Sequence, residues 1–118
     1  MTASHATDTV NSDMDQCIKD CLACFRVCCE CANECVTGAD KALVECAKLC
    51  LDCADTCSTS AALMSRQSQV HAAMCGACAI ACEACAKACE AGSTELMKRC
   101  AEACRKCEKS CRKMAKMM

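Results

Sequence analysis

The chain has little of what most other fold classes need. Its 118 residues include no proline, tryptophan or tyrosine, only three glycines, and Phe25 as the single aromatic residue. β-Sandwiches and barrels depend on turn residues and on β-branched or aromatic strands, so this composition disfavours them. The missing aromatic side chains also exclude a module that stacks nucleobases. Because the formal net charge is only −1, the chain lacks the basic excess of a nucleic-acid binder, and we expect no nucleic-acid partner.

Cysteine is what the chain has in excess, at 20 of its 118 residues. Such a content is typical of either a secreted disulfide scaffold or a metal protein. The first fifteen residues are polar and slightly acidic, without the basic and apolar regions of a secretory signal. The longest uncharged run, residues 67–82, is shorter than the ~20 apolar residues of a membrane span. We therefore expect a cytoplasmic protein with no membrane partner, whose thiols stay free or bind metal.

Nineteen of the cysteines recur at alternating steps of three and four residues, which is the a/d pattern of a packed helix. They are Cys17, Cys21, Cys24, Cys28, Cys31 and Cys35; Cys46, Cys50, Cys53 and Cys57; Cys75, Cys78, Cys82, Cys85 and Cys89; and Cys100, Cys104, Cys107 and Cys111. Only Cys29 lies off this seam, at a b position. The four series predict four helices that point their sulfur atoms inward.

The boundaries of these helices follow from local signals. Ser12-x-x-Asp15 resembles a capping box, Asp40 is an N-cap candidate, and a glycine precedes each of the second and fourth helices. We predict a polar N-terminal tail over 1–11 and a bundle over 12–118, with helices near 12–36, 40–64, 68–91 and 94–116. Because short connections favour antiparallel neighbours, the predicted fold is all-α, an antiparallel up-down four-helix bundle with a Cys-lined core. A helical repeat array is the alternative, since the four series resemble one another.

Nineteen thiols on one seam predict metal binding. Cysteine also fills cores as a small hydrophobe, but alanine would do so without the risk of oxidation, and small side chains bury little apolar area. Nine Cys-x-x-x-Cys pairs place two sulfurs on one helix face, with Cβ atoms roughly 5–6 Å apart. Two such sulfurs converge on a single ion.

Charge balance favours Cu(I) among the ions that thiolates select, which are Cu(I), zinc and iron–sulfur clusters. An iron–sulfur cluster uses four cysteines, far fewer than the seam offers. About five Zn²⁺ ions at four thiolates each would leave a charge of roughly −10 in the core, which is very costly to bury. About one Cu(I) per thiolate leaves the core near neutral, so the capacity is on the order of fifteen to twenty ions.

The two ends of the predicted bundle differ in chemistry. One end, which we term the Met/His end, collects Met14, Met64, His71 and Met114, and we interpret it as the port where exchangeable ligands pass Cu(I) to the thiolates. The other end, which we term the distal end, is where the first and third helices finish. It collects aliphatic residues that we expect to plug the core. These are Val36, Leu43, Val44 and Leu96, with Met97 as the one methionine among them.

The outward positions of the first two helices are too apolar for a solvated face. Leu22 and Val36 share the b stripe of the first helix with Cys29, and Val44 and Leu51 hold the same position on the second. We expect this surface to mediate an oligomer contact, against which Cys29 packs rather than binding metal.

The four Cys series, the repeated Cys-x-x-x-Cys pairs and the Met/His end make the chain similar to the bacterial copper storage proteins, in particular to their cytosolic members. The resemblance extends over about residues 12–114. It implies a four-helix bundle that stores many Cu(I) ions on thiolates, a cytosolic role in holding copper, and a homo-oligomer, namely a tetramer. We also expect a copper donor or acceptor protein as a partner.

Two other functions fit the same residues less well. A helical metallothionein-like Zn or Cd buffer would use the same thiols. A thiol redox protein would use Cys-x-x-Cys pairs such as Cys21/Cys24, but these lie mid-helix rather than at an exposed helix N-terminus. The sequence contains no set of nucleophile, base and orienting group, so we predict no enzyme activity.

Overall fold

The computed structural model of the chain describes residues 5–38 and 40–116. They form four helices, α1 (His5–Thr37), α2 (Ala42–Ser65), α3 (His71–Glu90) and α4 (Glu95–Ala115), and no strand occurs in these ranges. Helices α1 and α3 each pack against both α2 and α4, so the four helices form a square bundle. Along α1 and α4 the contacts run in opposite directions, because Cys17 meets Cys111 whereas Cys28 meets Cys100. The predicted antiparallel up-down bundle is therefore confirmed.

Helices α2, α3 and α4 begin and end within three residues of the predicted positions. The predicted start of α1 at Ser12 is wrong, because the helix begins at His5 and residues 5–11 belong to it. That segment contains neither proline nor glycine, so nothing in its backbone stops the helix. The remainder of the predicted tail, residues 1–4, lies outside the described residues.

Side-chain hydrogen bonds stabilise the start of α2, whose N-cap is Lys41 rather than the predicted Asp40, and the start of α4, whose N-cap is Thr94. The Asp40 carboxylate accepts a hydrogen bond of 2.9 Å from the backbone N–H of Ala42. Thr94 Oγ1 accepts one of 3.1 Å from the N–H of Met97 and donates one of 2.6 Å to Glu34 on α1. The start of α4 is thereby tied to the end of α1.

The core is made of small side chains. All nineteen seam cysteines are buried, flanked by alanines such as Ala54 and Ala86, and buried methionines lie at the two ends. Cys29 is exposed, as its b position predicts. Such a core buries little apolar surface per residue, so the bundle without bound ions gains less from the hydrophobic effect than a leucine core would give.

A buried carboxylate joins α1 to α4. Asp20 accepts hydrogen bonds from the hydroxyl of Ser110 and, at 3.0 Å, from Gln16 Nε2, while Lys106 Nζ lies 3.7 Å away. Asp20 and Ser110 occupy g positions, which face each other between antiparallel helices. These partners satisfy a charge that would otherwise be costly to bury.

Helix α3 has the length and apolarity of a membrane-spanning helix, the only one of the described helices that does. Its apolar residues include Cys75, Cys82 and Cys89, which face the core between α2 and α4. Burial inside the bundle therefore accounts for its composition.

Candidate metal centre

The nineteen buried thiols form a nearly continuous column of sulfur. Contacts between Sγ atoms of different helices measure 3.6–4.0 Å, as for Cys24 and Cys53 (3.7 Å) or Cys50 and Cys85 (3.6 Å). A metal–sulfur bond is about 2.3 Å long, so an ion placed between two such sulfurs reaches both. The core can accept ions without separating its helices.

The sulfurs gather into groups of four whose Sγ atoms all lie within 4.8 Å of one another. Five such groups are Cys21, Cys78, Cys107 and Cys111; Cys24, Cys53, Cys57 and Cys82; Cys24, Cys28, Cys53 and Cys104; Cys28, Cys85, Cys100 and Cys104; and Cys31, Cys46, Cys50 and Cys89. Each group draws sulfurs from at least three helices. Because Cys24, Cys53 and Cys104 each belong to two groups, neighbouring groups share ligands.

Cysteines four residues apart contact each other as the sequence predicts in some parts of the column but not in others. Five of the nine Cys-x-x-x-Cys pairs are in direct sulfur contact at 3.8–4.0 Å: 24/28, 53/57, 78/82, 100/104 and 107/111. Near the distal end the contacts instead cross between helices, since Cys89 meets Cys31, Cys46 and Cys50 at 3.8–4.0 Å. The sequence spacing indicates the seam but not these partners.

Burial keeps the two thiols nearest the distal end in the neutral form. Desolvation raises the pKa of the Cys35 thiol to about 12 and also raises the pKa of Cys46. These groups are therefore protonated at neutral pH, and a cation that binds them as thiolates releases their protons.

The predicted port residues lie together at one end of the bundle. Met64 and Met114 are fully buried at the end of the sulfur column, and Met14 packs against it. His71 is partly exposed, and its Nδ1–H donates a hydrogen bond of 2.8 Å to the carbonyl oxygen of Ser68. That bond fixes the tautomer of the neutral ring, so Nε2 remains available as a ligand.

The predicted aliphatic plug at the distal end is only partly present. Leu43 and Leu96 pack against the core, but Val36 and Val44 are exposed because they occupy b positions beside the seam rather than on it. Met97, in contrast, is buried. The sequence identified the residues at this end but not which of them close it.

Three comparisons with known proteins bear on this site. The model of the Csp family, described as copper storage protein, matches residues 10–116. No curated protein matches the chain.

Solved structures, in contrast, match it closely. A cytosolic copper storage protein from Streptomyces lividans, in a structure with five coppers, is 37% identical with a TM-score of 0.86, covering 92% of this chain and 97% of that one. The same protein loaded with 10 copper equivalents is 38% identical with a TM-score of 0.84, covering 91% and 86%. The Bacillus subtilis protein Csp3 in its Cu(I)-bound form is 32% identical with a TM-score of 0.83, covering 87% and 98%.

Proposed function

The chain belongs to the copper storage protein family, and from this premise we propose that its nineteen seam thiols are the ligands that store Cu(I). The observation that carries the proposal is the column of buried sulfur, in which four-sulfur groups share members. Shared sulfurs act as bridging ligands, and Cu(I) is the soft monovalent ion that such a column suits.

The charge of the core supports Cu(I) over a divalent ion. Among the described buried residues Asp20 is the only charged one, and its partners already satisfy it. The thiolates must therefore balance the ions themselves, and about one Cu(I) per thiolate does so. A Zn or Cd buffer would leave the buried core strongly negative at four thiolates per ion.

Anaerobic titration of the reduced apo protein with Cu(I) tests this function. We expect on the order of fifteen to twenty ions per chain to be retained against a Cu(I) chelator, with the loss of free thiols that reaction with a thiol reagent reports. A parallel titration with Zn²⁺ is the control, and we expect it to hold several-fold fewer ions. Retention of only a few Cu(I) ions per chain would contradict storage.

The Met/His end serves as a port in this proposal. His71 is partly exposed at this end, and the thioethers of Met64 and Met114 are buried at the same end of the bundle. Neutral imidazole and thioether bind Cu(I) more weakly than thiolate does, so they pass ions on rather than keep them.

The double variant Met64→Ala/His71→Ala tests the port. Loss of both ligands is expected to slow Cu(I) loading and removal by about tenfold while leaving the capacity nearly unchanged. Stopped-flow absorbance with a chromophoric Cu(I) chelator gives the rates. Val70→Ala, an exposed change at the same end, serves as the control. An equal loss of capacity would make Met64 and His71 storage ligands instead.

We also propose that the outer face of α1 and α2 joins copies of the chain, as a tetramer. Leu22 and Phe25 on α1 and Val44 and Leu51 on α2 are exposed although apolar. Exposed Cys29 lies on the same stripe and would be covered by this contact.

Charges placed on this face should lower the mass of the assembly. Leu22→Glu/Leu51→Glu is expected to reduce a tetramer to smaller species, because burying a carboxylate against apolar side chains is costly. Light scattering coupled to size-exclusion chromatography measures the mass. Ile80→Glu, a change at an exposed apolar residue of α3, is the matched control and should leave the mass unchanged. A monomeric parent protein would contradict the assembly.

We place this store in the cytosol, where thiols remain reduced and where the relative from Streptomyces lividans is described as acting. The chain acts by holding ions rather than by catalysis, and its partners in exchange are copper donors and acceptors. The buried positions of Cys21 and Cys24 favour this role over thiol redox chemistry, which needs an accessible thiolate.

A further inference from the structure

The distal end of the bundle is where solvent comes nearest to the sulfur column. Cys35 and Cys46, the last and first seam thiols of α1 and α2, are 2% and 4% exposed, whereas the other seventeen are fully buried. Cys17 and Cys75, the first thiols behind the Met/His end, are among those seventeen. The more accessible thiols therefore lie away from the port.

A cavity of about 270 Å³ opens onto Cys46 at this end. Its walls include Leu43, Ala88, Gly92 and Met97, from α2, α3, the loop after α3 and α4. Val36 and Val44, expected from the sequence to plug this end, are 63% and 47% exposed and do not line the cavity. The cavity therefore connects solvent to a core thiol.

Behind Cys46 the sulfur column is continuous. Its Sγ atom lies 3.8 Å from that of Cys89 and belongs to the four-sulfur group that includes Cys31 and Cys50. Cys50 in turn contacts Cys85 at 3.6 Å, which leads to the middle of the core. An ion that reaches Cys46 thus has sulfur ligands available along the whole column.

Met97 adds a second soft ligand to the wall of the cavity. Its side chain packs across Gly92 so closely that a Cβ atom there would lie 2.3 Å from the Met97 sulfur. The Thr94 cap holds its backbone N–H in place. The cavity therefore offers a thioether and a thiol, both of them soft ligands that suit Cu(I).

We propose that the distal end is a second passage for Cu(I), in which the Met97 thioether and the Cys46 thiolate exchange ions with solvent-borne ligands. The inference rests on the proposed storage of Cu(I) by the core thiols. In the inward step a Cu–ligand bond breaks, a bond from copper to Cys46 Sγ forms, and the thiol proton leaves for water. Copper stays monovalent throughout, so no oxidant or reductant takes part.

Alkylation of the apo protein tests the access route without copper. Under anaerobic conditions a limiting amount of iodoacetamide, followed by peptide mass mapping, reports the order in which thiols react. Among the seam thiols we expect Cys46 and Cys35 to react before Cys17 and Cys75. Reaction of Cys17 or Cys75 before Cys46 would overturn the proposal.

Removal of Cu(I) from the loaded protein by excess bathocuproine disulfonate tests the passage itself. In the Met64→Ala/His71→Ala background, where the port is weakened, Met97→Leu is expected to slow removal by about tenfold, since it keeps the shape and removes the sulfur. Gly92→Ala should act in the same direction by displacing the flexible end of Met97. If neither change alters the rate of Cu(I) removal in that background, the proposal of a second passage is wrong.

The proposed storage of Cu(I) and the proposed second passage are tested by different measurements. The parent protein's capacity, measured beside the rates, reports on storage alone, whereas the rates report on the passage. A parent protein that retains only a few Cu(I) ions contradicts the proposed function, and with it the ground on which the passage rests. A normal capacity with unchanged rates is consistent with Cu(I) storage but contradicts the proposed second passage.

Discussion

Cu(I) loading is expected to raise the unfolding temperature of the bundle by at least about 20 °C. One site at a hundredfold excess over its Kd contributes about 2.7 kcal/mol, and for a domain of this size each kcal/mol shifts the midpoint by roughly 4 °C. Two clusters that bind independently therefore suffice for this shift. The four-sulfur groups make more than two available.

The physical reason is that the apo core is weakly stabilised and the ions link its helices. Cysteine and alanine side chains bury little apolar surface. An ion held by Cys24, Cys53 and Cys104 bonds to α1, α2 and α4 at once, a contact that the unfolded chain cannot reproduce. Thermal unfolding followed by circular dichroism under anaerobic conditions measures the shift. The apo protein should be helical at the start of the scan, and equal midpoints with and without Cu(I) would contradict the account.

Removal of three central thiols is expected to lower the capacity by at least about three ions per chain, on the basis of one Cu(I) per thiolate. The variant is Cys24→Ala/Cys53→Ala/Cys104→Ala. In the folded protein these sulfurs lie 3.7–3.9 Å from one another, and each belongs to two four-sulfur groups. Their loss therefore removes ligands from groups on both sides of the middle.

Cys29→Ala is the matched control, because Cys29 is the one exposed thiol and should bind no stored ion. Anaerobic Cu(I) titration gives both capacities, and circular dichroism checks that alanine leaves the helices intact. An unchanged capacity in the triple variant would show that the central thiols are not ligands. A similar loss in Cys29→Ala would show that the seam does not define the store.

The seam is the part of this protein that the sequence predicts best. Steps of three and four residues place Cys17, Cys50 and Cys104 on one face of their helices, and that face packs inward because its thiols are apolar. The same rule places Cys29 outside. Fold class and candidate ligands both follow from this one periodicity.

Features that depend on distances between helices were not predictable. The contact between Asp20 and Ser110 joins residues ninety positions apart, and neither carries a local signal of its partner. The start of α1 was missed because Ser12 matched a capping motif that the longer helix does not use. Val36 and Val44 were expected to cover the distal end, although one step off the seam turns a side chain toward solvent.

Shared membership of the sulfur groups has a consequence for the identity of what is stored. Since Cys24, Cys53 and Cys104 each serve two groups, an ion can change neighbours by swapping one bond at a time and never leave coordination. No ion in such a store keeps a fixed position. An isotopically labelled atom added last would mix with those already inside, and the order of arrival would not dictate the order of departure.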